Sequence, residues 1–401
     1  MRETSKPIVE KVTIIGAGPG GLATAIALRK QGIDAHVYEK ARDFRPVGAG
    51  VGLQVNGLKC LDAIKPGMAC TLKRSGCQVQ RVTLKTSAGE TIRTTETTMM
   101  AKYGQPLLTI WWWRLQQILA SELPPEVIHL NHRCIGFEQN ENNVVTHFDN
   151  GKTAQADLLI GADGVNSRVR EILIGDGEPR YVGSMSWRAV IARQDELLPP
   201  DEVILMKGEK SIVYLLNVGE GNMSWLARKL LPDSSLSSSA SDAKSRVLQE
   251  FANWMEPIRE LMEATDAERI LEGPICDRLP LKQWSYGRVT LLGDAAHPMA
   301  PSAGQGANTT FEDAYELAEC LRNFPDRQTA LANYDNRRIQ RTAIIQTRSA
   351  EGEKRYYQPT QPTQQTNQQS QQNFEDFRDW VYDYQPNSES RLKPWKEKVV
   401  I

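Results

Sequence analysis

Six consecutive residues constrain this chain more than any others: Gly16-Ala17-Gly18-Pro19-Gly20-Gly21. They follow an apolar, β-branched run, Val12-Thr13-Ile14-Ile15, which reads as a buried strand. They precede Leu22, Ala25, Ile26 and Leu28 at helical spacing, with Gly32 as the stop. A second strand over residues 35–39 then ends on an acid, Glu39. Strand, glycine turn, helix and strand in this order predict a parallel sheet. Within the turn, Gly16, Gly18 and Gly21 have the GxGxxG spacing. The first permits the tight turn, the second lets backbone approach a pyrophosphate, and the third lets helix and strand pack closely. The helix N-terminus offers unpaired N–H groups and a positive dipole end to phosphates. Glu39, 18 residues beyond Gly21, stands where an acid can bond a ribose hydroxyl pair. An ordinary glycine turn does not explain that acid, so a bound dinucleotide is expected.

Composition narrows the class. The 401 residues carry 48 Lys+Arg against 49 Asp+Glu, which lacks the basic excess of a nucleic-acid binder. No apolar run reaches the ~18 residues of a membrane span, and the N-terminus lacks the features of a secretory signal. Cys60, Cys70, Cys77, Cys134, Cys276 and Cys320 include no CxxC pair and no zinc spacing. Reduced thiols in a cytoplasmic protein without a metal are the expectation. His129 and His132 fall three apart on an expected strand, which would point them to opposite faces.

Residues 77–95 alternate polar and apolar around Ser87-Ala88-Gly89-Glu90, an antiparallel hairpin pattern. Residues 181–231 are also strand-like, followed by a Ser-rich connector and one expected helix over 242–263. Its stripe is Val247, Leu248, Phe251, Met255, Ile258 and Met262. Between and after these stretches the α/β pattern returns, at 115–123, 158–161 and 289–321. Residues 358–373 are Gln-rich without aliphatic or aromatic side chains and read as a linker. Phe374, Phe377, Val381 and Tyr384 beyond it suggest a terminal helix docking onto the body.

Two further motifs carry a resemblance. Gly161-Ala162-Asp163-Gly164-Val165-Asn166-Ser167-Arg168-Val169-Arg170 is similar to the GADGxxSxxR signature of the FAD-dependent aromatic hydroxylase family. Gly293-Asp294-Ala295-Ala296-His297-Pro298 resembles its GDAAHP motif, and Gln305-Gly306-Ala307-Asn308 and Glu312-Asp313-Ala314 continue the match. The resemblance covers most of residues 10–350 and extends to hydroxybenzoate and salicylate hydroxylases and to zeaxanthin epoxidase. It implies an α/β protein with a Rossmann-like, hydroxybenzoate hydroxylase-like FAD-binding domain and a smaller mixed, antiparallel-sheet substrate domain. The expected FAD domain is 10–75, 100–180 and 272–350, and the substrate domain 76–99 and 181–271. Residues 374–401 would form the terminal helix and tail.

The resemblance implies an NAD(P)H-driven monooxygenase that hydroxylates a small phenolic or other aromatic substrate through a flavin hydroperoxide. Epoxidation of an isoprenoid double bond is the alternative, and a flavoprotein without oxygenase activity a third. Implied partners are dioxygen and the small substrate, in a monomer or homodimer. By the same resemblance Asp294 meets the ribityl hydroxyls, Gly304 leaves bare backbone, Gly306 and Ala307 meet the flavin ring, and Pro301 lies beside its oxygen-reacting edge. Asp163 fixes a turn at a strand end, while Arg170 either serves cofactor phosphates or pairs with a nearby acid. Arg45 matches a flavin-side Arg, and Lys40, Gly50 and Cys134 complete the cofactor candidates. No second GxGxxG exists, so NAD(P)H would visit a surface groove. One departure is plain. Trp112 stands where the family carries a cofactor-contacting Arg, and Arg114, two residues on, is the nearest substitute. Tyr214, Trp225 and Arg228 are candidates for substrate contact. His297 reads as part of the turn rather than a base.

Overall fold

The computed structural model describes residues 7–46, 48–193, 196–231, 233–236, 239–357, 368–396 and 399. The apolar segments flanking the glycine turn form the middle of a five-stranded sheet. Its order is Val289–Leu291, Leu158–Gly161, Lys11–Ile15, Asp34–Tyr38, Ile128–His129. Every pairing is parallel. The chain leaves the central strand toward one edge through helix Pro19–Arg29, and later fills the other side with Leu158–Gly161. The carboxyl end of Lys11–Ile15 is therefore a topological switch point, where open α/β sheets bind ligands. Pro19 to Leu28 are all buried, because helices Trp112–Ala120 and Gly306–Asn323 both pack on this helix.

A second, seven-stranded sheet has the order Leu271–Asp277, Arg180–Ala192, Asn222–Leu230, Ser211–Gly219, Glu202–Gly208, Arg81–Thr86, Thr91–Glu96. It is mixed: Glu202–Gly208 runs parallel to Arg81–Thr86, and the other pairings are antiparallel. The period of two sends Trp187, Ala189, Val213, Leu215 and Trp225 into one core. Val247, Phe251, Ile258 and Met262 cover that core from outside. They come from two helices, Ala240–Glu250 with Phe251 at its C-cap and Glu256–Ala264, rather than the single helix expected over 242–263. Pro257 sits in the first turn of the second helix, where its missing N–H costs nothing; a continuous helix would need that donor.

Three other expectations change. Cys77–Val79 pairs with Leu107–Trp111, in a small sheet with Gly50–Leu53, so the hairpin proper begins at Arg81. His129 ends its strand and the chain bends at Asn131 (φ 57°), so both His129 and His132 pack on Tyr38 instead of facing apart. Helix Gln368–Tyr382 starts inside the stretch read as a linker, whose residues 358–367 lie outside the described ones. Phe377, Val381 and Tyr382 join Val55, Ile344, Ile345 and Trp395 in a third cluster, while Phe374 is 60% exposed.

The two large units meet at polar contacts. The Gly50 N–H donates to Ser224 Oγ at 2.9 Å. Arg228 pairs with Glu353 of helix Arg327–Tyr356 at 3.0 Å, both side chains at most 5% exposed.

Candidate active site

At the switch point the chain encloses a cleft of about 860 Å³. Gly16 and Gly18 floor it, with Glu39 and Lys40 from the end of the second strand and Ala162, Asp163 and Gly164 from the end of Leu158–Gly161. Gly16 has φ +106°, and a Cβ there would lie 2.4 Å from the Ala162 carbonyl oxygen. A Cβ on Gly21 would fall 2.0 Å from the Gly16 carbonyl oxygen. A Cβ on Gly18 would meet nothing within 4 Å, so backbone is bare toward the cleft at that position alone of the three. Glu39 is held at the mouth by N–H groups: Ala17 donates to Oε2 and Ala41 to Oε1, each at 2.9 Å.

The cleft's charges are unevenly satisfied. Arg45 pairs with Asp43 at 3.0 Å, and Arg168 with Glu171 at 2.8 Å. The Asp163 carboxylate accepts the Arg168 N–H at 2.7 Å and the Ser167 hydroxyl at 2.5 Å, and so caps the helix Arg168–Leu173. Burial pushes its pKa up against those donors. Lys40 and Arg42 have no carboxylate partner among the described residues. Bare backbone at Gly18, a helix N-terminus and two unpaired cations fit a diphosphate. Cys134 also lines the cleft; burial, aided by the Asp163 charge, pushes its thiol up to about 11, so it is a packing surface rather than a nucleophile.

Beyond the parallel sheet, Asp294 follows the strand Val289–Leu291 and remains solvent-exposed. Protein crowding around its carboxyl raises its pKa, with His297 opposing and Asp313 adding. A Cβ on Gly306 would lie 3.9 Å from Asp294 Oδ1, so the acid stands at the N-terminus of helix Gly306–Asn323. Pro301 opens the short turn Pro301–Ala303, and Gly304 (φ +62°) completes it. The N–H groups of Gly306 and Ala307, in the first turn, have no intrahelical acceptor. Gln54 braces this turn: its Nε2 donates to the Ala303 and Gly304 carbonyls at 3.3 and 3.2 Å. Asn308 donates to the Gly52 and Gly304 carbonyls and accepts the Gln54 N–H.

Several expected residues stand elsewhere. Arg170 is fully buried, paired with Asp176 at 2.5 Å and donating to the Ala295 and Ala296 carbonyls. It fastens the Asp294 turn and does not line the cleft. Arg114 turns to Glu220 at 2.8 Å, and Trp112 lines the cleft instead. Gly50 is packed against Val218, Leu216 and Ser224 of the second sheet. Trp225 is fully buried, with its indole N–H on Thr265, and cannot touch a substrate. Arg228 is spent on Glu353 and on the Tyr214 hydroxyl at 3.1 Å. His297 is buried against Asp313 at 2.5 Å and stacks on Trp284. Sequence reading missed Gln54 and also Gln116, whose Nε2 holds the Ala17 carbonyl at 2.7 Å. Neither belongs to a motif, and only the fold brings them to the site.

A glycine turn at a switch point, a strand-end acid beside a bare helix N-terminus and a covering mixed sheet define an α/β flavoprotein. Residues 10–349 match the FAD binding domain family, and the chain belongs to that family. It is 34% identical over 331 residues to the aurachin C monooxygenase/isomerase of Stigmatella aurantiaca, covering 82% of this chain and 85% of that protein. It is 34% identical over 362 residues to the chloroplastic zeaxanthin epoxidase of an Oncidium hybrid cultivar, covering 84% of this chain but 53% of that protein. The chain thus spans about half of the epoxidase. The fold matches Klebsiella pneumoniae HpxO complexed with FAD and uric acid, with TM-score 0.81, 26% identity and 96% of each chain covered. The protein is an FAD-dependent monooxygenase.

Proposed function

We propose that the chain hydroxylates a small aromatic or heteroaromatic ring, using dioxygen and NAD(P)H. The observation that carries this reading is the polarity of the second sheet's face toward the first unit. Arg188 and Tyr214 sit on that face, beside Ser224 and Arg228, which bond the first unit. A pocket with placed polar groups suits a phenol or heterocycle, whereas a long isoprenoid calls for an apolar channel. The 34% identity to zeaxanthin epoxidase is consistent with a second reading, epoxidation of an isoprenoid double bond.

When bound, FAD supplies the redox chemistry with dioxygen. The turn from Gly16 to Gly21, with Lys40 and Arg42, would hold its diphosphate, Glu39 a ribose, and Asp294 the ribityl chain. The N–H groups of Gly306 and Ala307 would meet the ring, where the helix dipole favours negative charge without reorganisation. The second sheet would cover the ring and exclude water. Its start at Arg81 supports a domain boundary near residue 80 rather than 76. NAD(P)H would enter a surface groove.

The test is a screen of phenols, hydroxylated heterocycles and isoprenoids, measuring NAD(P)H consumption and incorporation of labelled oxygen. A heteroaromatic or phenol that gains one labelled atom per NAD(P)H supports the reading. Labelled epoxide from an isoprenoid alone would transfer the function to the alternative. Slow NAD(P)H oxidation that no compound stimulates would leave a flavoprotein without oxygenase activity.

A further inference from the structure

Three side chains form a hydrogen-bonded chain at the edge of the parallel sheet. His36 and His129 stand on neighbouring strands, Asp34–Tyr38 and Ile128–His129, and their rings meet through His36 Nδ1 and His129 Nε2 at 2.9 Å. His36 Nε2 lies 3.1 and 3.2 Å from the two carboxylate oxygens of Asp34, which also accepts from Arg29 at 2.9 Å. His129 stacks on Tyr38 with ring centroids 4.5 Å apart, and Phe148 stacks on Tyr38 at 4.7 Å. Tyr38 and His132 line the cleft described above. The aromatic stack therefore joins the histidine chain to the cleft wall.

Backbone bonds carry the coupling to Glu39. Its N–H donates to the His129 carbonyl at 2.9 Å, the His132 N–H donates to the Glu39 carbonyl at 2.8 Å, and the Asn131 N–H to the Ala41 carbonyl at 2.8 Å. The strand Ile128–His129 thus fixes the backbone around Glu39, and it is only two residues long, at the edge of its sheet. With both rings neutral the side-chain bonds are complete: His129 Nε2–H donates to His36 Nδ1, and His36 Nε2–H donates to Asp34. One added proton can rest on His36, which then donates from both nitrogens while His129 carries its own proton on Nδ1. A second puts two N–H groups face to face across 2.9 Å, and the contact must open. Burial lowers the pKa of His129, and a proton there also meets His36, His132, Lys152 and Lys11.

We propose that Asp34, His36 and His129 form a proton-sensitive clamp on the nucleotide end of the cleft. Closed, it holds Glu39 in place for a cofactor ribose; doubly protonated, it lets the strand Ile128–His129 leave the sheet edge and weakens the hold on FAD. This rests on the reading of Glu39 as the ribose acid. A histidine whose folded surroundings disfavour its proton contributes stability that is full at neutral pH and is lost as pH falls below the ordinary value of about 6.5. One proton taken up on opening costs about tenfold in affinity per pH unit, so FAD should bind about 10- to 30-fold more weakly at about pH 5 than at about pH 7.5.

The experiment titrates the apoprotein with FAD at both pH values, following flavin fluorescence, in wild type, His129→Phe and His36→Gln. The first variant keeps a ring on Tyr38, the second keeps a hydrogen-bonding side chain, and neither can hold two facing imidazolium rings. Both should bind FAD at neutral pH within about threefold of wild type, and lose about fivefold less affinity than wild type on acidification. Amide exchange at residues 39–41 and 128–132, corrected for its intrinsic pH dependence, should quicken at acid pH in the wild type alone. Wild-type affinity that is the same at both pH values, variants that both lose as much affinity as the wild type, or exchange that does not quicken would overturn the clamp. The ribose reading is tested apart, by Glu39→Ala, which should weaken FAD binding about tenfold or more at neutral pH. If it does not, Glu39 is not the ribose acid and the clamp falls with that reading; if it does while the wild type ignores pH, the clamp alone falls.

Discussion

Gly16 and Gly18 do opposite jobs two residues apart. Gly16 is bare because the neighbouring chain at Ala162 needs the space, and its φ of +106° suits no other residue. Gly18 has extended angles, φ −69° and ψ 171°, that any residue adopts, and nothing lies within 4 Å of its absent Cβ. Gly16→Ala should therefore cost about 2–3 kcal/mol of stability. Gly18→Val should leave the apoprotein within about 0.5 kcal/mol of wild type, yet bind FAD at least tenfold more weakly. Urea unfolding of the apoproteins and titration with FAD separate the two effects. Equal loss of stability in both variants would refute the assignment. The GxGxxG spacing already divides this labour in the sequence; what folding adds is the partner that crowds Gly16, the Ala162 carbonyl. The arginines teach the same lesson. Charge at positions 170 and 228 is legible in the sequence, but Asp176 and Glu353, which consume it, are brought there by folding.

Elements were legible where a local rule fixes them and illegible where a distant partner does. Strand, turn and helix at the N-terminus follow from local periodicity, and the hairpin around residues 87–90 from alternation. The stripe over 242–263 kept its period through a break that Pro257 imposes, so the pattern predicted the buried face correctly and the element count wrongly. The Gln-rich composition before Phe374 hid the start of helix Gln368–Tyr382, whose stability comes from tertiary contacts. That helix reaches the turn at Gly304 through Gln54. The Tyr382 hydroxyl donates to Gln54 Oε1 at 2.6 Å, Gln305 Nε2 donates to the same oxygen at 2.7 Å, and Gln54 braces the turn at Gly304. Tyr382→Phe removes one of two donors and should cost about 1 kcal/mol. Hydrogen exchange should quicken at 303–308 as well as in the helix itself. Faster exchange in the helix alone would show that it packs on the site without bracing it.

At the scale of the whole molecule, net charge was a poor guide: a balance of −1 coexists with unpaired Lys40 and Arg42 at the cleft. What matters is where charges are spent, and one pair is spent on joining the two units. Each has its own core, one around the parallel sheet and one behind the seven-stranded sheet. Between them, Arg228 and Glu353 are buried together, and the Tyr357 hydroxyl donates to Glu353 at 3.1 Å while bonding Ser184 at 2.6 Å. Truncating one partner leaves the other charge buried, whereas neutralising both leaves only a lost attraction. Arg228→Met should destabilise by about 3–5 kcal/mol, and adding Glu353→Gln should restore more than half of that. Calorimetry makes the cycle a test of coupling. A single transition in the wild type should separate into two in Arg228→Met, with the second unit melting first, and close again in the double variant. If Arg228→Met lowers one undivided transition, the pair stabilises its surroundings without fastening the units, and the contact of Gly50 with Ser224 must hold them instead.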